Sequence, residues 1–294
     1  MIENLLKKIS VVLVCILLLL SGICFLFIYL QEAEEMPPEI KNDQLVVHYI
    51  DVGQGDATLI QTPAGNMLID AGTVESIEKL CAYIDALEVK QFSYVIFTHP
   101  HSDHIGGAET ILKKYTVDHV ILPDAVNTGR MYERMLTAIE QEKCIVSEGK
   151  NGLSFSLGNA VVELLAPVYN DDSNLNNMSV VTKVSFEEVS FLFMGDAEAE
   201  SESAMLMTNE MILDADIMKL GHHGSSTSNT EDFLKAVSPE IAIVSCGKNN
   251  DYGHPHREVV SLMGKLDIPL YRTDEHGDIT IVTDGGSYTV QTKK

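Results

Sequence analysis

The sequence predicts an α/β fold in which two β-sheets face each other and helices cover both outer sides. Three observations carry this expectation. Two halves of the chain each run from a meander of short apolar strands into segments of helical spacing. Several strands end abruptly in loops where Gly stands beside Asp or His. A single uncharged stretch, residues 9–30, stands apart from this mixed body.

At 1.5 Å per helical residue that stretch would be about 33 Å long, enough to cross a bilayer. Lys7 and Lys8 precede it, and Glu32, Glu34 and Glu35 follow it. Positive residues favour the cytoplasmic side, so the body is expected outside the cytoplasm. A cleaved signal peptide is the competing reading, but the run is long and no Ala-x-Ala site follows. Residues 1–30 are therefore expected to be an uncleaved, single-pass membrane anchor. Residues 31–43 are acidic, carry Pro37-Pro38, and read as a linker. Residues 44–294 form the body.

Within the body, residues 45–50, 57–61 and 67–70 alternate as strands around glycine turns. Residues 75–87 have helical spacing, and 92–98 read as a buried strand. Residues 108–115 and 128–142 are helical, with a strand at 117–122 between them. A second strand-rich stretch begins near Cys144, with strands at 153–157, 161–166, 179–186 and 189–194, and a polar loop at 168–177. Helices are expected at 198–208, 230–237 and 257–266, and strands at 216–220, 241–245, 270–272, 278–282 and 288–291. Cys81, Cys144 and Cys246 are widely spaced in apolar runs and read as core residues rather than a disulfide frame. The net charge of −23 gives no basic face, so no stable nucleic-acid complex is expected.

The chemistry concentrates in Thr98-His99-Pro100-His101-Ser102-Asp103-His104-Ile105-Gly106-Gly107. Imidazole and carboxylate together suit zinc, manganese or iron. In an extended loop His99 and His101 reach one ion, while Asp103 and His104 are offset toward a second. Four more loops follow strands and offer similar groups: residues 51–56, 70–72, 195–196 and 221–226. Asp196 becomes the candidate carboxylate bridging two ions, which together could activate a water and clamp an ester. Of His222 and His223, one is expected to be a ligand and the other a neighbour or substrate contact, because adjacent side chains of a strand point apart. His254, in Tyr252-Gly253-His254-Pro255-His256, is a further site candidate.

These loops, in this order, resemble the metallo-β-lactamase superfamily through His-x-His-x-Asp-His. More narrowly they resemble the hydrolase domain of the ComEC/Rec2 competence-protein family. The motifs carrying that narrower resemblance are Asp51-Val52-Gly53-Gln54-Gly55-Asp56, Ile69-Asp70-Ala71-Gly72, Gly195-Asp196-Ala197-Glu198, Gly221-His222-His223-Gly224-Ser225 and Tyr252-Gly253-His254-Pro255. The resemblance covers about residues 44–290. It implies a four-layer αββα sandwich with two divalent metal ions, zinc ahead of manganese, at one edge of the sheets. Carried over by position, His99 and His101 bind the first ion and Asp103 and His104 the second. Asp196 bridges them, His222 is preferred to His223 as the last ligand, Asp70 buttresses the loop, and Asp56 lies at the mouth.

The sequence departs from the superfamily in one place. No histidine lies between His119 and His222, where another ligand is usual; Asn176-Asn177-Met178-Ser179 occupies that interval. The first ion then has fewer protein ligands, and its open coordination would serve substrate, with Asn176 among the contacts. The family's full-length proteins carry many membrane spans, so this chain reads as a free-standing relative of the hydrolase domain.

The function expected is metal-dependent hydrolysis of a phosphodiester, in nucleic acid or the cell envelope, by a metal-activated water that Asp103 orients. Lys219, His223 and His254 would meet the non-bridging oxygens, with His223 and His254 counted with Asp103 as catalytic and Asp56 as a substrate contact. Hydrolysis of a lactam, lactone or thioester, or a non-catalytic component with a vestigial site, are the alternatives. The oligomeric state is not legible.

Overall fold

The computed structural model describes residues 18–22, 40–41, 43–171 and 173–294. Ile40–Lys294 forms one compact unit. The other unit, Met1–Glu39, is described only at residues 18–22, which are helical and exposed. The rest of the expected anchor and most of the linker lie outside the described residues. Among the described residues no helix is long and apolar enough to cross a membrane.

The strands in chain order are β1 (Leu45–Tyr49), β2 (Thr58–Thr62), β3 (Gly65–Ile69), β4 (Gln91–Ile96), β5 (Thr116–Leu122), β6 (Ile145–Glu148), β7 (Ser154–Leu157), β8 (Ala160–Ala166), β9 (Val181–Phe186), β10 (Val189–Phe193), β11 (Ile217–Lys219), β12 (Ile241–Val244), β13 (Leu270–Arg272), β14 (Ile279–Thr283) and β15 (Tyr288–Thr292). They make an eight-stranded sheet ordered β15-β14-β1-β2-β3-β4-β5-β6 and a seven-stranded sheet ordered β13-β12-β11-β10-β9-β8-β7.

Period-two alternation explains the layering. Leu45, Val47 and Tyr49 of β1, with Ile60, Met67, Ile69 and Ile96, face inward and meet Val184, Phe191, Phe193, Ile217 and Ile243 of the other sheet. The intervening residues turn outward. Leu59, Leu68 and Val95 pack on Leu80 and Ile84 of the helix Ile77–Ala86 and on Met135 and Ile139 of Arg130–Glu142. On the far side Leu192, Met218 and Ala242 pack on Met205, Phe233 and Met263 of the helices Ala199–Asn209, Glu231–Val237 and Arg257–Lys265. Each large apolar side chain buried this way contributes about 1.5–3 kcal/mol. The result is the helix, sheet, sheet, helix layering expected.

Strand direction positions the site. β3, β4, β5 and β6 run parallel, as do β10, β11, β12 and β13. Loops after the carboxyl ends of parallel strands gather at one edge, which is where such sheets bind ligands. Asp70 follows β3, Thr98-His99 follows β4, Gly195-Asp196 follows β10, and Gly221-His222-His223 follows β11. Backbone hydrogen bonds join these loops: Val180 N to Thr98 O at 2.9 Å, Ala71 N to His104 O at 2.7 Å, His222 N to Gly195 O at 3.0 Å, and Asp56 N to Asp103 O at 3.1 Å. The last requires Gly55, since a Cβ there would stand 2.5 Å from Asp103 O. Gly195 adopts φ +54°, and a Cβ would stand 3.0 Å from the Thr98 Cβ.

Two placements differ from a simple two-half reading. β6, at the start of the second strand-rich stretch, is the edge of the first sheet. The last hairpin, β14–β15, also returns to the first sheet, with β14 antiparallel to β1. The three cysteines named above are free thiols, with Cys81 and Cys246 buried.

Candidate metal centre

Histidine and carboxylate side chains from the two loops after β4 and β11 converge on Asp196, which is buried after β10. Its two oxygens face different partners. Oδ2 lies 3.7 Å from His99 Nε2 and 3.7 Å from His222 Nε2. Oδ1 lies 3.2 Å from His104 Nε2 and 3.6 Å from His223 Nε2. His101 Nδ1 is 2.9 Å from His99 Nε2, and Asp103 Oδ2 is 3.3 Å from His223 Nε2 and 4.0 Å from His104 Nε2. Two half-sites result, with Asp196 between them: His99, His101 and His222 on one side, and Asp103, His104 and His223 on the other.

Divalent ions fit this arrangement. Ligand atoms of Asp103, His104, Asp196 and His223 all lie within 4.8 Å of one another. His104 Nε2 and Asp196 Oδ1 are buried and face each other at 3.2 Å, yet neither makes a well-aligned hydrogen bond. An orphaned buried polar atom costs about 1–3 kcal/mol, and an ion between them would satisfy both. Asp56, Asp70 and His104 form a second close group, but there Lys219 already supplies the cation by pairing with Asp56.

A supporting shell fixes the ligands from behind. Asp70 accepts from Thr98 N at 2.8 Å, from Thr98 Oγ1 at 2.7 Å and from His104 Nδ1 at 2.7 Å. Ser179 Oγ stands 3.3 Å from His99 Nδ1 and accepts from Asp196 N at 3.0 Å. His223 Nδ1 donates to Ser245 O at 3.0 Å.

Protein groups alone set the electrostatics. Burial, reinforced by the His104 charge, pushes His99 well below the usual imidazole range. Burial also opposes charge on His104, but the Asp196, Asp70 and Asp103 carboxylates overcome it and hold His104 well above that range. Burial is likewise outweighed at His223, which Asp196 and Asp56 push up to about 10. Burial disfavours the Asp196 carboxylate, yet His104 and His223 drive it well below its usual value. Asp103 is lowered too, burial being outweighed by His104 and the hydrogen bond from His223.

Several sequence expectations are modified here. His222 and His223 do not lie on strand-like backbone: both are left-handed, at φ 50° and φ 52°, so both side chains turn toward Asp196, one to each oxygen. His223, expected among the substrate contacts, is buried within the ligand cluster. Lys219, expected to meet substrate, is buried and ion-paired with Asp56. Asp56 is not at the mouth of the site. It is only 2% exposed, behind His104 and His223, where burial works against its charge but the Lys219 ammonium lowers its pKa to about 2. Asp103 and His104 sit on a short helix, Ser102–Ile105, instead of an extended loop.

Beside the half-sites opens a cleft of about 250 Å³, lined by Gln54, His101, Asp103, Asn176, His222 and His254 among others. Asn176 is nearly buried, with its Oδ1 unpartnered. His254 Nδ1 is 3.4 Å from Gln54 Nε2. Burial, followed by the His223 and His222 charges, lowers its pKa to about 4, so it is neutral near pH 7. Tyr252 stacks on His254 at 5.6 Å. Gln54, Tyr252 and Glu198 were not singled out as site residues from sequence, although each lies inside a quoted motif.

The metallo-β-lactamase superfamily model matches residues 50–165. ComE operon protein 3 of Bacillus subtilis is 33% identical over 251 residues, covering 79% of this chain and 32% of that protein. Recombination protein 2 of Haemophilus influenzae is 32% identical over 244 residues, covering 80% of this chain and 28% of that protein. The chain thus spans about a third of the length of the curated relatives it matches. Among solved structures, the metallo-β-lactamase fold protein YhfI of Bacillus subtilis superposes with a TM-score of 0.57 at 12% identity, covering 82% of this chain and all of that one, which shows the shared fold. Residues 50–165 thus carry a metallo-β-lactamase superfamily domain, and over the region shared the chain is similar to the ComEC/Rec2 competence proteins.

Proposed function

We propose that this chain is a metal-dependent phosphodiesterase, tethered to the cell membrane by one N-terminal helix and acting outside the cytoplasm on nucleic acid or envelope phosphodiesters. One observation carries the reading: a buried carboxylate, Asp196, stands between two half-sites at the floor of an open, polar cleft. His99, His101 and His222 on one side of Asp196, and Asp103, His104 and His223 on the other, would hold two divalent ions, zinc ahead of manganese, which would supply Lewis acidity and lower the pKa of a water toward ~7.

The protein's own groups do the rest. Asp103, the most exposed carboxylate of the cluster, accepts a hydrogen bond from the attacking water and fixes its direction. His254, neutral at working pH, presents a donor to a non-bridging oxygen, and Gln54 and Asn176 offer amide groups along the same wall. Lys219 and Asp56 act from beneath, holding His104 and His223 in place. The acidic body, with net charge −23, favours short or transient contact with a polyanion over a stable complex.

The test is a substrate panel with defined metals: bis-p-nitrophenyl phosphate, an oligonucleotide, a lactone and nitrocefin. Phosphodiester hydrolysis lost on chelation, restored by zinc or manganese, and absent from a His101→Ala/Asp196→Ala variant is the expected result. Turnover of the lactone or nitrocefin without the phosphodiesters would sink the substrate assignment.

A further inference from the structure

Glu198 lies half-buried beside the first half-site. It is the N-cap residue of the helix Ala199–Asn209, yet its side chain makes no capping bond to that helix. The carboxylate instead turns into the centre. Oε1 accepts from Asn176 Nδ2 at 2.9 Å and from Thr227 Oγ1 at 3.1 Å, and it stands 3.1 Å from His222 Nδ1. Oε2 accepts from Asn174 Nδ2 at 2.8 Å. Asn177 Oδ1 accepts from the backbone N of Glu198 at 3.2 Å.

A carboxylate only accepts, and this fixes its neighbours. Asn176 must give Glu198 its amino group, so its carbonyl Oδ1 points away. That oxygen is buried and unpartnered, and Asn176 lines the same cleft as Asp196 and His222. Thr227 spends its proton on Glu198, so its oxygen accepts from His222 Nδ1 at 3.1 Å. His222 therefore carries its proton on Nδ1, leaving the Nε2 lone pair free on the side facing Asp196 Oδ2, 3.7 Å away.

We propose that Glu198 is a positioning residue that completes the first metal position, presenting His222 Nε2 and Asn176 Oδ1 where the chain has no further histidine. The inference rests on the metal-centre reading above. It makes the first position richer in oxygen than three imidazoles would, while the second depends on Asp70 and Ser245 and is independent of Glu198.

The test titrates zinc, manganese and cobalt into the chelator-stripped full chain in detergent. It uses a competing chromophoric chelator and the visible absorption of the cobalt form, with Glu198→Gln, Asn176→Leu and Thr227→Val beside the wild type. A glutamine can donate as well as accept, so it lets Asn176 turn its oxygen inward and breaks the relay to His222. The expected result is two ions in the wild type and, in Glu198→Gln and Asn176→Leu, one ion weakened about 10- to 100-fold with an altered cobalt band, the other unchanged. Thr227→Val shifts the same ion by a smaller factor; it removes one hydroxyl and decides the matter if Glu198→Gln fails to fold. Wild-type affinity for both ions in the variants overturns the inference alone, as does equal weakening of both. A wild type that holds no ion overturns the metal reading and this inference together.

Discussion

Replacing Asp70 by Asn changes one charge at the buried heart of the ligand loop while keeping its shape. Asp70 is fully buried and accepts three hydrogen bonds, two from Thr98 and one from His104 Nδ1. An asparagine can still accept from the Thr98 N–H, but its amino group then faces Thr98 Oγ1 and His104 Nδ1. The Thr98 hydroxyl can reverse its role; His104 can keep its contact only by becoming the acceptor at Nδ1. That tautomer places a proton on Nε2, the atom 3.2 Å from Asp196 Oδ1, and removes the lone pair an ion needs. The loss amounts to one charge-assisted hydrogen bond, about 1.5–3 kcal/mol, which is roughly a 10- to 150-fold loss of affinity at 1.4 kcal/mol per decade. Chelator competition should show this loss in the second ion with the first unchanged, and excess metal should restore much of the turnover. Wild-type affinity for both ions in Asp70→Asn would refute the reasoning, and so would a His104 still protonated on Nδ1 by nitrogen NMR.

Three further predictions follow from the same groups and from one remote histidine. Lys219→Met strands Asp56 without its partner in a nearly solvent-free position and should cost about 3–5 kcal/mol in urea unfolding. Adding Asp56→Asn should recover much of it, and equal stability of the single variant and the wild type would contradict a tight pair. Because His104 and His223 are held protonated by surrounding carboxylates, an ion entering the second half-site must displace about two protons. Calorimetry in buffers of different ionisation enthalpy measures this number, affinity should fall as pH is lowered, and no proton release would count against the cluster. His48, buried against Tyr83 and Gln61, is lowered to about 4, mainly by burial, from 6.5 in the unfolded chain. The unfolded state then binds the extra proton, so stability rises with pH through this window and drops by up to about 3 kcal/mol between pH 6.5 and 4. His48→Gln should flatten that part of the pH–stability curve relative to the wild type.

Much of the architecture was legible because its signals are local. Alternating apolar residues announced β1, β2 and β3, and helical spacing announced Ile77–Ala86 and Arg130–Glu142. His99, His101, Asp103, His104 and Asp196 were legible because metal-binding side chains follow apolar strands, and the structure does bring them together. What escaped depends on partners distant in sequence. Nothing near Ile279–Thr283 says that it pairs with Leu45–Tyr49. A lysine at the end of β11 reads as a reactive or solvated cation, and only the fold reveals Asp56 waiting beneath it. The link between Glu198 and Asn176 spans 22 positions and two loops, so no local window contains it.

The His222-His223 pair shows why the site needed three dimensions. On extended backbone the two rings would diverge, and only one could serve the centre. Two successive left-handed residues, flanked by Gly221 and Gly224, bend the chain so that both rings address Asp196. Non-glycine residues pay for that conformation with strain, of order 1–3 kcal/mol each. The surroundings impose it: His223 is tied to Ser245 O, His222 to Thr227, and Gly221 N to Asn229 Oδ1 at 2.8 Å. Gly221 itself fits because a Cβ there would come within 2.9 Å of Ala197 O. Strain held by this many independent bonds is a mark of a functional loop. Here it lets one dipeptide supply an imidazole to each side of a single carboxylate, so the two half-sites are coupled through backbone as well as through Asp196.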